Sequence, residues 1–183
     1  MQISVRENLV MRTLTKQDAT SVYTAVDSNR QHLRTWLPWV DGTDSPSITE
    51  NVIAIWEKEY ENKTDITMGI FEGDKYVGNI GLHGLKSPNN SGMIGYWLSE
   101  ACQGRGIVTD CVRALINLGF YKLNLNRIYI NCAKENKKSR AIPERLGFVK
   151  EGTLQDGEYV NGVYYDLIVY GKLSRNWNAE EVF

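Results

Sequence analysis

The segment that decides the fold spans residues 96–110 and has the sequence YWLSEACQGRGIVTD. It predicts the end of a strand, a turn that contains Gly104 and Gly106, and the start of a helix. Glycine allows close backbone approach, and the first amides of a helix are unpaired and favour negative charge. The segment therefore suits a phosphate or pyrophosphate, although a tight strand-to-helix turn without a ligand is an equally good interpretation.

The spacing of the glycines separates this turn from two common phosphate-binding loops. Thr109 stands where a dinucleotide fingerprint needs its third glycine, and the Gly-Lys-Ser/Thr ending of a P-loop is absent. The pattern Gln/Arg-x-x-Gly-x-Gly/Ala does fit residues 103–108, QGRGIV. It resembles the coenzyme A pyrophosphate loop of the GNAT N-acetyltransferases, from which Val108 departs because the last position usually holds a small residue.

The composition limits the class of protein. The chain has 183 residues, and 21 Lys plus Arg against 22 Asp plus Glu give a net charge of −1, which argues against nucleic acid as the main ligand. We see neither a signal peptide nor an apolar run long enough for a bilayer, so we expect a cytoplasmic protein without membrane partners. Three separated cysteines and two isolated histidines predict reduced thiols and no metal site.

The remaining elements follow from apolar periodicity and turn residues. The sequence predicts a helix capped by Asp18 and a second helix that ends near Asn62. The polar segment 41–47 is predicted to be a loop close to the place where an acceptor substrate would bind. Another helix follows the glycine turn, its Cys111 facing the core, and a short helix lies within 135–148, followed by a loop over 155–160. The predicted strands are 8–14, 66–71, 75–82, 92–98 (with a bulge or close approach at Gly95), 126–132, 149–154 and 164–173.

This order of elements predicts an α/β protein with α+β character. We expect a single GNAT-like domain over residues 1–183, with a central mixed, mostly antiparallel sheet and helices on both faces.

A second resemblance lies in residues 32–39, HLRTWLPW. This segment is similar to the region between the first two helices of the ribosomal-protein N-acetyltransferases, the RimL-like branch of the GNATs. Trp36 is interpreted as a packing residue, whereas Trp39 is either packing or the edge of an acceptor pocket. Further anchors at 125–128, 136–139 and 146–152 extend the resemblance over nearly the whole chain. It implies acetyl-CoA as the donor and an amine as the acceptor.

The resemblance also implies which residues hold the cofactor. Amides of residues 104–109 would bind the pyrophosphate, and backbone N–H groups around Trp97 would stabilise the oxyanion. Arg105, Lys137, Lys138 and Arg140 are phosphate candidates, with at least two of them expected to be ordinary solvated charges. The full predicted cofactor set is Trp97, Leu98, Gln103, Gly104, Arg105, Gly106, Ile107, Val108, Thr109, Asn136 and Ser139.

Two catalytic residues are carried over from the same branch. Glu158 matches a proposed catalytic glutamate, and it would either take the amine proton or attract a cationic acceptor; a solvated loop carboxylate is equally compatible. At neutral pH, deprotonation costs about 1 kcal/mol for an α-amine and about 4–5 kcal/mol for lysine, so an α-amine needs only a modest base. Ser139 would protonate the leaving thiolate, with helix capping as the alternative for both Ser139 and Asn136.

Two nearby residues qualify this assignment. Pro143 has no N–H, so the carbonyl of Ser139 loses its expected helical donor, and we expect either a later helix start or a bond to water or cofactor. Cys132 is interpreted as a small core residue, with a thiol close to the coenzyme sulfur as the alternative.

Three functions remain open at this point. The first is acetyl transfer to the N-terminal α-amine of a ribosomal protein, and the second is transfer to a small amine such as a polyamine, an amino acid or an antibiotic. The third is a catalytically inactive module that binds coenzyme A. Aromatic and apolar residues of the last strand suggest either a homodimer with a shared sheet or a core position.

Overall fold

The structure, a computed structural model, describes residues 1–178. Its strands are β1 (Gln2–Arg6), β2 (Leu9–Thr13), β3 (Ile66–Glu72), β4 (Lys75–His83), β5 (Ser91–Leu98), β6 (Arg127–Ala133), β7 (Val149–Val160) and β8 (Val163–Leu173). Its α-helices are α1 (Ala19–Ser28), α2 (Arg30–Leu33), α3 (Pro46–Glu61), α4 (Ile107–Asn117) and α5 (Lys137–Arg145). The final five residues of the predicted domain, 179–183, lie outside this description.

All eight strands form one sheet in the order β1-β2-β3-β4-β5-β6-β8-β7. Neighbouring strands are antiparallel except β5 and β6, which are parallel. A parallel pair needs a crossover connection, and α4 provides it between these two strands. The mixed, mostly antiparallel sheet predicted from the sequence is confirmed.

Helices cover both faces of the sheet. On one face α4 presents a stripe at helical spacing, Ile107, Cys111 and Leu115, to a core that includes Ile80 and Ile94. On the other face α1 and α3 pack against β3 and β4 through a second cluster, Leu14, Ala19, Val22, Ile53, Phe71 and Tyr76. Cys111 is fully buried in the first core, and burial raises the pKa of its thiol to about 12, as expected of a core residue.

The N-terminal region differs from the prediction in two ways. The predicted first strand is observed as β2, but β1 precedes it and was missed. Ile3 and Val5 of β1 alternate with exposed residues and pack against the core, a period-2 pattern over five residues. Asp18 precedes α1 but does not cap it with its side chain, because its carboxylate accepts hydrogen bonds from Arg12 and from the Thr15 amide.

The segment 41–47 was predicted as a loop, and the structure fills most of it with ordered turns. Residues Val40–Gly42 form a 3-10 turn, and α3 already begins at Pro46, after Ser45, whose hydroxyl accepts from the Ile48 amide at 3.5 Å. The Arg30 guanidinium donates to the carbonyls of Val40 (2.6 Å) and Thr43 (2.7 Å). The half-buried guanidinium of Arg30 therefore holds this segment against α2.

The C-terminal hairpin contains the largest correction. Residues 155–160 were predicted as a loop, but β7 runs without interruption from Val149 to Val160. The register with β8 shifts between Leu154 and Glu158, so a bulge absorbs the polar Gln155–Gly157 and pairing resumes at Glu158 with Tyr165. The last strand, β8, is paired on both sides, so it is an interior strand and not the edge of a shared sheet.

Gly95 does not form the bulge that its place in a strand suggested. It pairs with Gly81 in an unbroken register between β4 and β5. No helix within residues 1–178 combines the length and apolar character needed to span a membrane.

Candidate active site

The site begins where two neighbouring strands separate. Strands β5 and β6 pair over only three residues each, Ser91–Met93 with Arg127–Tyr129, although both strands continue. Beyond Met93 the gap between them opens into a cleft of about 1060 Å³, lined on its two sides by residues 94–98 and 130–133. A sheet that splits in this way leaves strand backbone without partners inside the molecule.

The direction of the free backbone groups follows from strand alternation. The Ser99 amide donates to the Val77 carbonyl at 2.8 Å, so odd-numbered residues of β5 direct their backbone groups to β4. The even-numbered residues face β6, as the bond from the Asn126 amide to the Asn90 carbonyl (2.7 Å) shows. Tyr96 and Leu98 therefore present N–H and C=O groups to the cleft. The oxyanion donors expected around Trp97 are those of its two neighbours.

The glycine turn forms the floor at one end of the cleft. Gly104 and Gly106 have φ values of 74° and 76°, in the left-handed region where a side chain is strained. Gly106 is the N-cap of α4, and no side chain caps this helix among the described residues. The first amides of α4 are therefore left to face a ligand, and the helix dipole adds positive potential at the same point.

The cleft brings together ten of the eleven residues predicted to hold the cofactor. Arg105 is the exception: its guanidinium points away and forms a bidentate pair with Glu72. The residues that line the cleft are Trp97, Leu98, Gln103, Gly104, Gly106, Ile107, Val108, Thr109, Asn136 and Ser139, together with the catalytic candidate Glu158.

Among the other predicted phosphate partners, Lys138 is the one that lines the cleft. Its ammonium group donates to Gln103 Oε1 at 2.8 Å, and Gln103 Nε2 lies 2.8 Å from His32 Nε2. Arg140 is engaged elsewhere, by Tyr170 and the Lys134 carbonyl. Gln103 thus links one wall of the cleft, at α2, to the other, at α5.

Two arginines in the cleft were not predicted. Arg113 lies one turn beyond Thr109 on α4, and Arg145 of α5 donates to the Thr109 hydroxyl at 2.9 Å. The i, i+4 spacing of Thr109 and Arg113 could have indicated Arg113 from the sequence. Nothing local to the sequence indicates the second.

A cluster of three side chains lies where β5, β6 and α5 meet. Ser139 Oγ is 3.2 Å from the Tyr96 hydroxyl and 3.3 Å from Cys132 Sγ. All three residues line the cleft. Burial holds the pKa of Tyr96 well above its usual value, so its hydroxyl stays protonated. Burial also raises the pKa of Cys132, which keeps that thiol neutral.

The carbonyl of Ser139 explains why Tyr96 belongs to this cluster. The helix begins as predicted, with Asn136 as N-cap accepting from the Ser139 amide at 3.1 Å, and Pro143 lies inside it. The missing N–H of Pro143 frees the Ser139 carbonyl, and the Tyr96 hydroxyl donates to it at 3.0 Å. The expectation of a late start, water or cofactor was wrong, because a side chain from β5 supplies the donor.

Glu158 lies on the wall of the cleft as part of β7. Burial raises the pKa of its carboxyl group. The hairpin that carries it is held against α2 by two contacts: Asn161 Nδ2 donates to the Arg34 carbonyl at 2.5 Å, and the Tyr165 ring packs on Trp36 at 5.6 Å between centroids. Trp36 therefore packs as expected, and in doing so fixes the position of the carboxylate.

The link between Tyr96 and the Ser139 carbonyl is testable by a double-mutant cycle. We expect Tyr96→Phe to lower the free energy of unfolding by about 1–2 kcal/mol, since it leaves a buried carbonyl without a donor. In the Pro143→Ala background the loss should be smaller, because residue 143 then supplies an N–H. Urea denaturation of the four proteins measures both differences. Equal losses in the two backgrounds would show that Pro143 and Tyr96 are not coupled.

Comparison with known proteins agrees with this geometry. The Acetyltransferase (GNAT) domain family matches residues 8–149. A putative ribosomal N-acetyltransferase of Bacillus subtilis is 38% identical over 97% of both chains. The ribosomal-protein-serine acetyltransferase of Escherichia coli is 28% identical over 93% of this chain and 96% of its own.

A solved structure has the same fold. RimL, a ribosomal L7/L12 α-N-protein acetyltransferase in complex with coenzyme A, superposes with a TM-score of 0.91 at 25% identity, over 94% of this chain and 98% of its own. The family match covers most of the sequence, and the split sheet with its glycine turn accounts for it physically. The chain therefore belongs to the GNAT family of acetyltransferases.

Proposed function

We propose that this acetyltransferase transfers the acetyl group of acetyl-CoA to the N-terminal α-amine of a protein, and that the protein is ribosomal. The observation that carries the proposal is the Glu158 carboxylate, which lines the same cleft as the unpaired edge of β5. The relatives support the acceptor, because the Escherichia coli enzyme acts on a ribosomal-protein serine and RimL on the α-amine of L7/L12.

The donor is held along the open edge of the sheet. We assign the pyrophosphate to the amides of residues 104–109 at the start of α4, with Lys138 as the nearby cation. The extended arm of acetyl-CoA would pair with the free backbone of Tyr96 and Leu98, in the place of a missing strand. The same N–H groups then face the thioester carbonyl and stabilise its oxyanion. Asn136 and Gln103 complete the polar wall.

The acceptor amine must lose a proton before it attacks the thioester carbon. Glu158 is the carboxylate assigned to accept it, directly or through water, and its raised pKa makes it a stronger base than an exposed glutamate. An α-amine loses its proton at a cost of about 1 kcal/mol at neutral pH, against about 4–5 kcal/mol for lysine. A single partly buried carboxylate therefore suits an α-amine acceptor better than a lysine side chain.

The leaving thiolate must gain a proton when the carbon–sulfur bond breaks. The Ser139 hydroxyl, which lies 3.2 Å from the Tyr96 hydroxyl, is the donor we assign, and the serine takes a proton back from water. Cys132 Sγ lies in the same cluster. In the RimL complex a cysteine of that enzyme forms a disulfide with coenzyme A, and we assign Cys132 the corresponding proximity to the coenzyme sulfur.

The acceptor class is tested by the release of coenzyme A thiol from acetyl-CoA. Three acceptors are compared: a peptide with a free N-terminus, the same peptide blocked at its N-terminus but carrying a lysine, and a polyamine. We expect turnover on the free N-terminus alone, because Glu158 compensates only the small cost of deprotonating an α-amine. Turnover on the polyamine alone would establish the small-molecule alternative. Acetyl-CoA binding without turnover on any amine would favour the inactive-module alternative.

The role of Glu158 is tested by its pH dependence. Because Glu158 takes its proton from the bound ammonium group, wild-type turnover requires an ionised Glu158 and a protonated amine. Log kcat/KM should therefore rise with a slope of 1 below the Glu158 pKa and level off between that pKa and the pKa of the amine. Because burial raises the Glu158 pKa, the change of slope comes at a higher pH than for an exposed glutamate. We expect Glu158→Gln to lower kcat/KM by about 100-fold and to give a slope of 1 all the way up to the amine pKa, because the variant can use only the amine that is already neutral.

The matched control is Glu100→Gln, which removes another carboxylate of the same cleft. It should keep the two-slope profile. A Glu158→Gln enzyme with an unchanged profile and rate would remove Glu158 from proton transfer.

We further propose that the chain forms one domain over residues 1–183, works in the cytoplasm and pairs with a second copy through β7. This edge strand is exposed along most of its length, with apolar Val149 (62%) and Leu154 (49%) open to solvent. An exposed apolar edge favours pairing with another chain. Light scattering should give twice the 20.8 kDa chain mass.

Variants on opposite edges of the sheet test this assembly. Val149→Lys and Leu154→Lys together should yield a particle of one chain, because lysine on an edge strand opposes pairing. Gln2→Lys, on the far edge at β1, should leave the assembly intact. Wild-type protein at the mass of one chain would contradict the proposal.

A further inference from the structure

A second cavity, of about 430 Å³, lies beside the donor cleft and meets it at Leu37 and residues 95–97. Its floor is a row of small residues across three strands: Thr67 of β3 pairs with Gly81 of β4, which pairs with Gly95 of β5. Large side chains at these points would fill the space. The volume lies within the range of about 300–1,000 Å³ that is typical of ligand pockets.

The walls of this cavity combine flat apolar rings with a few short polar side chains, those of Thr43, Thr49, Thr67 and Asn79. Three tryptophans line it: Trp39 from the segment before α3, Trp56 from α3 and Trp97 from β5. The rings of Trp39 and Trp97 are 6.2 Å apart between centroids, and Trp39 is 42% exposed, so this tryptophan is at the edge and not in the core. Indole surfaces of this kind favour aromatic partners in offset or tilted contact.

One polar group points to the character of the ligand. His83 lines the cavity, and its ring lies over Gly81, where a Cβ would come within 2.4 Å of Nε2. Nδ1 lies 3.2 Å from Asp65 Oδ1, and that oxygen also accepts from the Gly84 amide at 3.0 Å. Because the carboxylate can only accept, it places an N–H on Nδ1, and in the neutral imidazole Nε2 is then a hydrogen-bond acceptor.

The Asp65–His83 pair is not used by the donor site. Within residues 1–178 the structure gives His83 a hydrogen bond at Nδ1 and none at Nε2. The same nitrogen lies 3.7 Å from the point where a Cβ on Gly95 would stand, at the junction of the two chambers. A residue held in one tautomer, with a free acceptor atom directed at a cavity, suits a ligand that donates a hydrogen bond.

The charge of the residues that line the cavity limits the class of ligand further. None of the described residues that line the cavity carries a carboxylate. The second ammonium group of a polyamine would therefore find no counter-charge there, and the cost of desolvating it would be uncompensated. A neutral ring that carries an O–H or N–H group matches both the tryptophan walls and the free nitrogen.

We propose that this cavity is the acceptor-side specificity pocket, and that it takes a planar ring with a hydrogen-bond donor, carried next to the acceptor amine and bonded to His83 Nε2. The inference rests on the proposed function for the identity of the acceptor as a peptide. The ring packs against the faces of Trp39 and Trp97 that line the cavity, which places the amine near Gly95, where the cavity opens into the donor cleft.

The test uses three peptides that differ only in the first residue: alanine, phenylalanine and tyrosine. We expect kcat/KM to rise about tenfold from alanine to phenylalanine and about tenfold again to tyrosine. His83→Asn keeps a donor for Asp65 but is too short to place an acceptor at the position of Nε2, so the tyrosine-to-phenylalanine ratio should fall to about one. Val52→Phe, which fills the cavity from α3, should reduce the phenylalanine-to-alanine ratio.

His32→Asn in the donor cleft is the matched control, and it should change all three peptides by the same factor. A structural role for His83 alone would likewise scale all three rates together and leave their ratios intact. Equal rates on the three peptides with wild-type enzyme would overturn the proposal.

A second readout separates this proposal from the proposed function. Tyramine, 2-phenylethylamine and putrescine are offered as acceptors, and their binding is followed by quenching of tryptophan fluorescence. Saturable binding with an affinity that falls from tyramine to 2-phenylethylamine to putrescine supports the pocket. If this order is found although no peptide is acetylated, the pocket stands and only the proposal of a protein acceptor is wrong. Absence of saturable binding by tyramine, or tighter binding of putrescine, would overturn the pocket.

Discussion

The early separation of β5 from β6 is the constraint on which the rest of the structure depends. Two parallel strands that stop pairing after three residues leave unsatisfied backbone groups in the middle of a sheet, and such groups are costly unless something pairs with them. The glycine turn, the uncapped start of α4 and the cluster on α5 all lie around this opening. In the function that we propose, the extended arm of acetyl-CoA pairs with these free groups and completes the sheet.

The donor cleft and the second cavity (the donor and acceptor chambers) lie on opposite faces of β5, and we assign one substrate to each. Side chains of β5 alternate, so Tyr96 points toward α5 and the donor cleft whereas Trp97 lines the chamber under α1 and α3. The donor chamber has the amides and cations that a pyrophosphate needs. The acceptor chamber is aromatic and carries a single oriented imidazole. Their junction at Gly95 is where the two substrates meet, and a residue without a side chain leaves room for them.

Much of this arrangement was readable from the sequence. The glycine turn predicted both the end of β5 and the start of α4, because positive φ angles and unpaired amides are local properties. The loop predicted over 155–160 failed for the opposite reason: Asp156 and Gly157 have the composition of a loop, but pairing with β8 across a bulge overrides it. Arg105 lies within the cofactor motif and still points away, since Glu72, distant in sequence, pairs with it. Tyr96 was missed because its partner is a carbonyl that Pro143 leaves free.

The bond between Asn161 and the Arg34 carbonyl joins residues 127 positions apart and sets the place of Glu158. During synthesis, β5, α4 and α5 leave the ribosome before the β7–β8 hairpin does. The Glu158 carboxylate is therefore the last of these groups to reach its place in the cleft. Contacts of such long sequence separation form slowly. A nascent chain therefore lacks the carboxylate that we propose as the proton acceptor until its final hairpin has docked beside a helix that was synthesised early.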